Sequence, residues 1–306
     1  MRKLIQRDNT GIDAIELANV EEPHASAGEV RVKWFAGGLN PIDWKISTGL
    51  FPLENLRRSY PIGFGSNFSG VIDEVGDGVE GFAVGDRVFG SRLAEGYGDY
   101  IVNKPKNLRL HHVPEGLSME VAAGLVTVAA TAVAAIDDLG EIEGKTILIG
   151  GAAGGVGILA VQYATTKGAR VIGTGSPSSA DFLRSLGAEP VAYGEGLVDR
   201  VREALHDNTL TAASDLANTD AIEAAIELGV APERTTYIAA PSAPEGAIRT
   251  GDPSARADAI DDIAHRIARG EMHLPIEMKV PLSEFRTAID HSMNGHAHGK
   301  ILIMAE

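Results

Sequence analysis

The sequence predicts an α/β protein with two domains, one a barrel-like β domain and the other a doubly wound parallel sheet with helices. The first reason is length, because 306 residues are long for one compact core and comfortable for two domains. The second reason is a change of pattern near residue 115. Before it, short β-like runs alternate with Gly and Pro turns; after it, strands and helices take turns, which is typical of βαβ units.

The individual elements follow from hydrophobic periodicity along the chain. In the first part, the runs typical of strands are EVRVKWF (29–35), FSGVIDEVG (68–76), DRVFG (86–90) and DYIVNKP (99–105). In the second part, the predicted strands are TILIG (146–150), RVIGTG (170–175), PVAY (190–193), AASDLA (212–217) and TTYIAA (235–240). Helical spacing predicts helices over 155–168, 178–186, 196–205, 220–229 and 255–270. The closing segment adds one more helix and the apolar strand KILIM (300–304).

Composition restricts the classes of function. Hydrophobic residues make up 44% of the chain and charged residues 23%, and no apolar run reaches the roughly 18 residues that span a bilayer. The first residues lack the apolar core of a secretion signal, so we expect a soluble, cytoplasmic protein. A formal net charge of -15 disfavours nucleic acid and membranes as partners. Because the chain has no Cys, it has no disulfide, thiolate zinc ligand or thiol nucleophile.

The most informative motif is ILIGGAAGGVGILAVQYATTKGA, in which an apolar strand enters a turn of small residues and then a helix. A dinucleotide pyrophosphate needs backbone N–H groups at a helix N-terminus and no bulky side chains where the phosphates approach. The spacing Ala152-x-Gly154-x-x-Gly157 meets this need, with Ala in place of the usual first Gly. The predicted cofactor-binding residues of this turn are Ala152, Gly154, Gly155, Val156 and Gly157. The alternative is a tight turn that binds no ligand.

The end of the second parallel strand indicates which dinucleotide is bound. NAD sites carry a carboxylate there for the ribose hydroxyls, whereas this chain has no carboxylate before Asp181. Small hydroxyl residues at a helix start can accept a 2'-phosphate, and the predicted residues of this site are Thr174, Gly175, Ser176, Ser179 and Tyr193. NADPH is therefore favoured over NADH, although no Lys or Arg stands in the loop itself.

Two further patterns permit other interpretations. Tyr163 and Lys167 have the Y-x-x-x-K spacing of short-chain dehydrogenases, but they lie in the helix that must pack on the sheet, so a core role is favoured. His291, His296 and His298 suggest a metal, yet no carboxylate or Cys at ligand spacing accompanies them. A polar loop before the last strand is the favoured interpretation.

Several sequence blocks together resemble one family from end to end. They are GGLNPIDWKISTG (37–49), GSNFSGVIDEVGDGVEGFAVGDRVFG (65–90), GYGDYIV (96–102), VAAGLVTVAATA (121–132), GAAGGVG (151–157) and GKILI (299–303). Several blocks in this order identify a family more specifically than any single block does. The chain resembles the zinc-independent quinone oxidoreductases of the medium-chain dehydrogenase/reductase superfamily.

The resemblance implies an architecture and an assembly. We expect a GroES-like β-barrel catalytic domain over 1–115 and 275–306, and a Rossmann NADP(H)-binding domain over 116–274. In this family the active site is a cleft between the domains, and members are commonly homodimers.

The resemblance also implies a metal-free reaction. Zinc alcohol dehydrogenases carry a Cys ligand where this chain has Asn40, and a His-Glu pair where it has Ser66 and Asn67. Without zinc to polarise an alcohol, the expected reaction is hydride transfer from NADPH to a quinone or an α,β-unsaturated carbonyl.

Roles can be assigned by position. LNPIDWKISTG (39–49) is predicted to be a turn in which Asn40 reaches the cofactor ribose or the acceptor oxygen, and Asp43 either fixes the turn or hydrogen-bonds near the substrate. The other predicted residues are Trp44, Phe51 and Tyr60 for the substrate, and Thr127, Thr131, Asn218, Ala239 and Ala240 for the cofactor. Trp44 could equally be a buried structural residue, and the proton could come from solvent or from Tyr60.

Departures from the family concern the substrate. The family usually has Asp at the position of Asn67 and a longer segment around 241–255, so the sixth strand is expected to be vestigial and the acceptor pocket more open. Two alternatives therefore stay open: a reductase of a specialised biosynthetic substrate, and a non-catalytic NADPH-binding or sensor protein.

Overall fold

The computed structural model describes residues 1–56, 58–238, 240, 242–295 and 298–306. The chain forms two compact units: unit 1 comprises Met1–Thr127, Ala264–Glu271 and Pro275–Glu306, and unit 2 comprises Val128–Ile263 and Met272–Leu274. The domain boundaries expected at residues 115 and 274 stay a prediction, since compact units need not coincide with family domains.

The strands and helices that the hydrophobic patterns predict are present, with ends that differ by a few residues, and the structure adds elements that were not predicted, among them the strands Arg2–Gln6 and Ile15–Asn19 and the helices Met119–Ala123 and Leu125–Asp137. The strands are β1 (Arg2–Gln6), β2 (Ile15–Asn19), β3 (Val30–Leu39), β4 (Ile62–Gly63), β5 (Asn67–Val75), β6 (Arg87–Ser91), β7 (Tyr100–Asn103), β8 (His111–His112), β9 (Thr146–Gly150), β10 (Arg170–Gly175), β11 (Ala188–Ala192), β12 (Leu210–Asp215), β13 (Thr235–Tyr237), β14 (Ile248–Arg249), β15 (Ile276–Pro281) and β16 (Lys300–Met304). The helices are α1 (Pro41–Ser47), α2 (Pro105–Leu108), α3 (Met119–Ala123), α4 (Leu125–Asp137), α5 (Gly155–Thr166), α6 (Ala180–Ser185), α7 (Leu197–Leu205), α8 (Asp220–Glu227), α9 (Ala259–Ala268) and α10 (Phe285–Met293). Short 3-10 helices occur at Ile12–Ala14, Leu53–Leu56, Pro177–Ser179, Pro232–Arg234, Asp252–Ser254 and Leu282–Glu284.

Unit 1 is built on two sheets. One has the strand order β2-β1-β4, and the other has the order β15-β16-β3-β5-β6-β8, with β7 also paired to β3. The long strand β3 is central because it pairs antiparallel with β16, β5 and β7. Its register sets Leu39 opposite Ile301, so the residue after β3 lies beside the first residue of β16.

Unit 2 contains one sheet of parallel strands in the order β11-β10-β9-β12-β13-β14. This is the doubly wound order 3-2-1-4-5-6, in which the first strand is central. All five residues of β9 are buried, as expected for the middle of a parallel sheet. The sixth strand is only Ile248–Arg249, which agrees with the expected vestigial strand. No helix in the described ranges has both the length and the apolar composition needed to cross a membrane.

The prediction of a turn over LNPIDWKISTG is wrong in one respect, because the segment forms helix α1. Pro41 stands at the first helical position, where its missing N–H costs nothing and its fixed φ suits a helix. Asn40 precedes it with extended φ and ψ of -126° and 152°, which is the geometry of a helix N-cap. The Pro and Gly of the segment therefore mark the two ends of a short helix, with Gly49 at a φ of +76° after it.

Candidate active site

The Asn40 site lies in unit 1, at the junction of β3 and α1. Asn40 is 2% exposed and Asp43 is 3% exposed. The Asn40 N–H donates to Asp43 Oδ2 over 2.8 Å, so the Asp43 carboxylate caps the helix start. Asp43 thus has a defined structural role, which the sequence analysis left as one of two alternatives.

Both ends of the Asn40 amide are hydrogen-bonded within unit 1. Lys300 Nζ donates to Asn40 Oδ1 over 2.7 Å and to the backbone oxygen of Leu39 over 2.8 Å. Asn40 Nδ2 donates to the backbone oxygen of Gly38 over 3.0 Å. Lys300 is 4% exposed, so a buried cation lies directly beside the predicted catalytic amide. Sequence analysis missed Lys300, and its only signal was a Lys at the start of an otherwise apolar strand.

Burial changes the ionisation of both charged groups at this site. It raises the pKa of Asp43 to about 6, although the Ser66 hydroxyl, the Asn40 N–H and Lys300 all oppose the rise. It lowers the pKa of Lys300 to about 8, although Asp43 opposes the fall. The Ser66 hydroxyl is near enough to lower the pKa of Asp43, but the two groups do not meet in hydrogen-bonding geometry. Between pH 6 and 8 both groups are therefore charged.

Several buried polar atoms around the Asn40 site have no hydrogen-bond partner among the described residues. They are Asp43 Oδ1, Ser66 Oγ, Asn67 Nδ2 and Tyr97 Oη. Thr127 Oγ1 donates to Asn67 Oδ1 over 2.8 Å, which gives Thr127 a contact inside unit 1. Burial raises the pKa of Tyr97 well above its ordinary value, and the nearby Asp43 adds to the rise. Buried polar groups without partners are uncommon, so this cluster has unused capacity for hydrogen bonds.

The residues predicted to contact the substrate are placed near α1. Phe51 and Tyr60 are partly buried against one apolar cluster whose buried members are Ile46, Ile62 and Ala94. Trp44 packs against the main core of unit 1, and its indole Nε1 donates to Ser292 Oγ over 3.1 Å. This bond joins α1 to α10, and it supports the alternative that Trp44 is a buried structural residue.

The glycine-rich turn lies in unit 2 between β9 and α5. Gly154 is the N-cap of α5, with no side-chain cap, so the first backbone N–H groups of the helix have no side-chain acceptor at this position. Gly155 and Val156 form the first positions of this helix, and Ala152 is fully buried. A Cβ at Gly157 would overlap the Gly151 backbone oxygen, whereas one at Gly154 would meet only that oxygen, at 3.4 Å. The turn is therefore closed on the Gly157 side and open above Gly154.

One buried side chain holds the glycine-rich turn in place directly, and a second orders the loop after β12, whose Leu216 N–H donates to the Gly150 oxygen over 3.1 Å. Thr174 Oγ1 accepts the Gly151 N–H over 3.1 Å, and the Thr174 backbone oxygen accepts the Ala152 N–H over 3.1 Å. The second is Asp215, at the end of β12. Its carboxylate accepts N–H bonds over 2.8–2.9 Å from Ala217, Asn218 and Ala221. Sequence analysis missed Asp215, for which the signal was a carboxylate at the end of a buried strand.

The end of β10 carries a cluster of hydroxyl groups. Ser176 Oγ lies 2.8 Å from Ser178 Oγ and 2.7 Å from Ser179 Oγ. Gly175 precedes them, and a Cβ there would lie 2.9 Å from Leu183. Tyr193, after β11, is 55% exposed.

The guanidinium of Arg200 supports the segment that carries Tyr193. It donates over 2.8–3.2 Å to the backbone oxygens of Ala192, Tyr193, Gly194 and Glu195. The orientation of this segment is therefore set by a side chain of α7.

The remaining predicted cofactor residues are placed as follows. Thr131 lies in α4 and is 6% exposed. Asn218 is exposed, and its Nδ2 donates to Asp220 Oδ2 over 2.9 Å. Ala240 follows β13 outside regular structure, while Ala239 lies outside the described residues. Their roles in cofactor binding stay predictions.

The two other sequence patterns have structural explanations. Tyr163 Oη and Lys167 Nζ both donate to Asp137 Oδ1, over 3.0 Å and 2.6 Å, which fixes α5 to the end of α4. His291 Nε2 lies 3.0 Å from Glu277 Oε1, and His296 lies outside the described residues. Within the described ranges, no group of three or more His, Cys, Asp and Glu side chains is arranged to hold a metal ion.

Comparison with known proteins identifies two family domains. The family described as alcohol dehydrogenase GroES-like domain matches residues 26–138, and the family described as zinc-binding dehydrogenase matches residues 155–254. They correspond to the β-rich and parallel-sheet parts of the chain.

The relatives include named quinone oxidoreductases. A quinone oxidoreductase of Pseudomonas aeruginosa is 34% identical over 227 residues, which cover 72% of this chain and 68% of that protein. The chloroplastic quinone-oxidoreductase homolog of Spinacia oleracea is 37% identical over 194 residues, and the match covers 59% of this chain but only 57% of the spinach protein. A solved structure of the quinone oxidoreductase from Coxiella burnetii matches with a TM-score of 0.84 and 25% identity, over 100% of this chain and 99% of that one.

Three observations indicate the same family: the order of the parallel strands, the glycine-rich turn after the first of them, and these matches. The chain belongs to the quinone oxidoreductase-like family of the medium-chain dehydrogenase/reductase superfamily, whose members are oxidoreductases that bind a nicotinamide cofactor.

Proposed function

We propose that this protein is a zinc-independent, NADPH-dependent reductase that transfers hydride to a quinone or an α,β-unsaturated carbonyl. The observation that carries the proposal is the buried Asn40 site, in which the Asn40 amide stands where zinc-dependent relatives carry a Cys ligand and the Lys300 ammonium group donates to it. Such a site can stabilise developing negative charge by hydrogen bonding instead of by a metal.

The side chains at this site do not fit zinc. Zinc prefers thiolate, imidazole and carboxylate ligands, whereas the corresponding positions here are Asn40, Ser66 and Asn67, and the chain contains no Cys. The Asn40 side-chain oxygen already accepts a hydrogen bond from the Lys300 ammonium group. A metal cation bound to that oxygen would lie next to a positive charge, which Coulomb repulsion disfavours. These facts support zinc independence even though one matching family is described as zinc-binding.

The glycine-rich turn fits a dinucleotide. Open space above Gly154 and the uncapped N-terminus of α5 suit a pyrophosphate, and the close packing at Gly157 keeps the helix near the sheet. When bound, NADPH would supply the hydride, and the protein would position the two reactants and stabilise the charge that develops on the acceptor.

The hydroxyl cluster supports NADPH over NADH. Ser176, Ser178 and Ser179 stand at the end of β10 in the place where NAD-binding relatives carry a carboxylate. The hydroxyl groups can donate to a phosphate, and Tyr193 is exposed beside the next strand to flank it.

The side chains of the Asn40 site act on the acceptor. Hydride addition to a conjugated carbonyl places negative charge on the carbonyl oxygen, which a well-placed N–H donor stabilises. Asn40 Nδ2 carries two hydrogens, and its bond to Gly38 uses one of them. Burial raises the pKa of Tyr60, with help from Asp8 and Glu54, so the phenol stays protonated near neutral pH and can give the proton.

The test is a panel assay. The purified protein is mixed with NADPH and a small set of quinones and enals, and loss of NADPH absorbance is followed. Turnover with at least one acceptor is expected, with NADPH preferred to NADH. Measurable NADPH binding without turnover of any acceptor contradicts the proposal and favours one of the two alternatives, the sensor protein or the reductase of a specialised substrate. Light scattering of the same sample tests the expected homodimer.

A further inference from the structure

Lys300 is an unusual residue for the place that it occupies. It opens the last strand of unit 1, and its backbone N–H donates to the Pro275 oxygen over 2.8 Å. Its side chain packs against Gly124, since a Cβ there would lie 3.1 Å from Lys300 Cγ and Cε. Lys is seldom fully buried unless paired, yet both of its side-chain hydrogen bonds among the described residues go to uncharged oxygens, of Leu39 and Asn40. An apolar residue would avoid the cost of burying this charge.

The ammonium group determines how the Asn40 amide is oriented. The oxygen and nitrogen of an amide side chain are similar in shape, so only hydrogen-bond partners distinguish the two orientations. A Lys ammonium group can only donate and a backbone oxygen can only accept. Lys300 on one side and the Gly38 oxygen on the other therefore permit one orientation, with Oδ1 towards Lys300. The second hydrogen of Nδ2 is then held in a fixed direction.

We propose that Lys300 is a positioning residue for the reduction proposed above: its ammonium group fixes and polarises the Asn40 amide, so that the free Nδ2–H donates to the oxygen on which negative charge develops. The inference rests on the proposed function and assigns to Lys300 a role that acts through Asn40. A hydrogen bond from a charged donor is stronger than one from a neutral donor, so the amide N–H becomes a better donor while Lys300 is protonated.

The charges around Lys300 give this role a pH dependence. From α1, Asp43 faces the site and favours the ammonium form, while burial lowers the pKa of Lys300 to about 8. The end of β3 contributes only the Leu39 oxygen and the Asn40 amide, and Gly124 contributes only backbone. Tyr97 faces Asp43 and stays protonated, because burial raises its pKa well above the ordinary value. Turnover should therefore fall as the pH rises through about 8, where Lys300 loses its charge.

The experiment compares Lys300→Met, Lys300→Arg and the unmodified protein. Met keeps the length of the side chain and removes the charge, whereas Arg stays charged throughout the accessible pH range. For Lys300→Met we expect a kcat roughly 10–100-fold lower at pH 7, an NADPH Kd within about 2-fold, and no alkaline fall in the kcat profile. Lys300→Arg should keep more activity than Lys300→Met, with the alkaline fall moved to higher pH. Lys279→Met is the matched control, because Lys279 is half exposed and pairs with Glu120 at 3.4 Å.

Each result of this experiment either supports or overturns the role proposed for Lys300. An alkaline fall that persists unchanged in Lys300→Met overturns the inference while leaving the proposed function intact. If Lys300→Met does not fold, the profile of Lys300→Arg decides, and an unmoved alkaline fall overturns the inference. If neither variant folds, nuclear magnetic resonance of the unmodified protein decides: the Asn40 side-chain amide signals should shift with a midpoint near pH 8, and signals that do not respond overturn it. Absence of turnover in the unmodified protein overturns the proposed function itself, and this role with it.

Discussion

The Asn40 site and the glycine-rich turn are built in opposite ways. The Asn40 site consists of buried polar and charged side chains, and its central hydrogen bond joins residues 260 positions apart in the chain. The glycine-rich turn consists of consecutive small residues that present backbone, and the buried Thr174 hydroxyl supports it by accepting the Gly151 N–H. Under the proposed function the two sites would have different tasks: the Asn40 site would stabilise charge through a few side chains, and the glycine-rich turn would bind the cofactor through its backbone. Mutations should separate the two functions.

The largest effect is expected from Gly157→Ala. The new Cβ would overlap the Gly151 backbone oxygen and lie 2.7 Å from Ala152 Cα, and neither backbone group can move without displacing β9 or α5. Overpacking of this kind costs about 3 kcal/mol. We expect a loss of about that size in the free energy of unfolding, measured by urea denaturation, together with loss of NADPH binding, measured by fluorescence titration.

Gly154→Ala is the matched control for this prediction. Its Cβ would meet only the Gly151 oxygen at 3.4 Å, so the free energy of unfolding should change by less than about 1 kcal/mol. NADPH binding should still weaken, by roughly 10-fold, because the methyl group fills the space proposed for the pyrophosphate. If the two substitutions lowered the free energy of unfolding equally, the turn would not be closed at Gly157 and open at Gly154, and this description of it would be wrong.

The second-largest effect is a loss of catalysis while cofactor binding is kept. Asn40→Asp keeps an oxygen for Lys300 but removes the N–H donor, so kcat should fall roughly 100-fold while the NADPH Kd changes by less than about 3-fold. Steady-state kinetics and fluorescence titration measure the two quantities. Asn107→Ala, at an exposed Asn of the same unit, should change neither. Unchanged turnover in Asn40→Asp would refute the role given to this amide.

The sequence predicts the glycine-rich turn well because its determinants are contiguous. The apolar run of β9, the small residues and the helical spacing of α5 all lie within 146–166, so local rules suffice to place a strand, a turn and a helix. Thr174 was also predicted, but as a cofactor residue, whereas the structure shows its hydroxyl bonded to the Gly151 N–H. Local pattern identified the residue and could not identify its hydrogen-bond partner.

The Asn40 site could be predicted only in part. The resemblance selected Asn40 and Asp43, but the pairing of Asn40 with Lys300 depends on the register of β3 against β16, which no local pattern specifies. The Pro of LNPIDWKISTG indicated a turn, although the same residue also suits the first position of a helix. Deciding between the two required knowing that the Asp43 carboxylate reaches back to the Asn40 N–H.

The third effect concerns the free energy of unfolding. It should depend on pH through the buried Asp43 of the Asn40 site, whereas the glycine-rich turn has no ionisable side chain. Because burial raises the folded-state pKa of Asp43 from 3.8 to about 6, the folded protein holds its proton more tightly than the unfolded chain. The stabilisation from this proton is complete below pH about 4 and is lost as the pH rises through 6. We expect the unmodified protein to lose about 2 kcal/mol of unfolding free energy relative to Asp43→Asn between pH 4 and pH 7, measured by urea denaturation.

The control for this pH effect is Asp13→Asn, in which an exposed carboxylate of the same unit is removed. Its difference from the unmodified protein should stay nearly constant over the same range, since exposed ion pairs contribute little. A flat difference for Asp43→Asn as well would show that its carboxyl group titrates as an ordinary Asp, and the raised pKa attributed to its burial would be refuted.

The smallest effect tests the side-chain part of the cofactor site. Ser176→Asp places a carboxylate in the hydroxyl cluster, where it would repel a 2'-phosphate and could accept the ribose hydroxyls of NADH. The NADPH Kd should rise roughly 10-fold, about 1.4 kcal/mol, while the NADH Kd stays the same or falls. Thr209→Asp adds the same charge before β12, at the amino end of a strand, and should leave both constants unchanged. If Ser176→Asp weakens the binding of both cofactors equally, the hydroxyl groups do not distinguish them, and the proposed preference for NADPH loses its structural support.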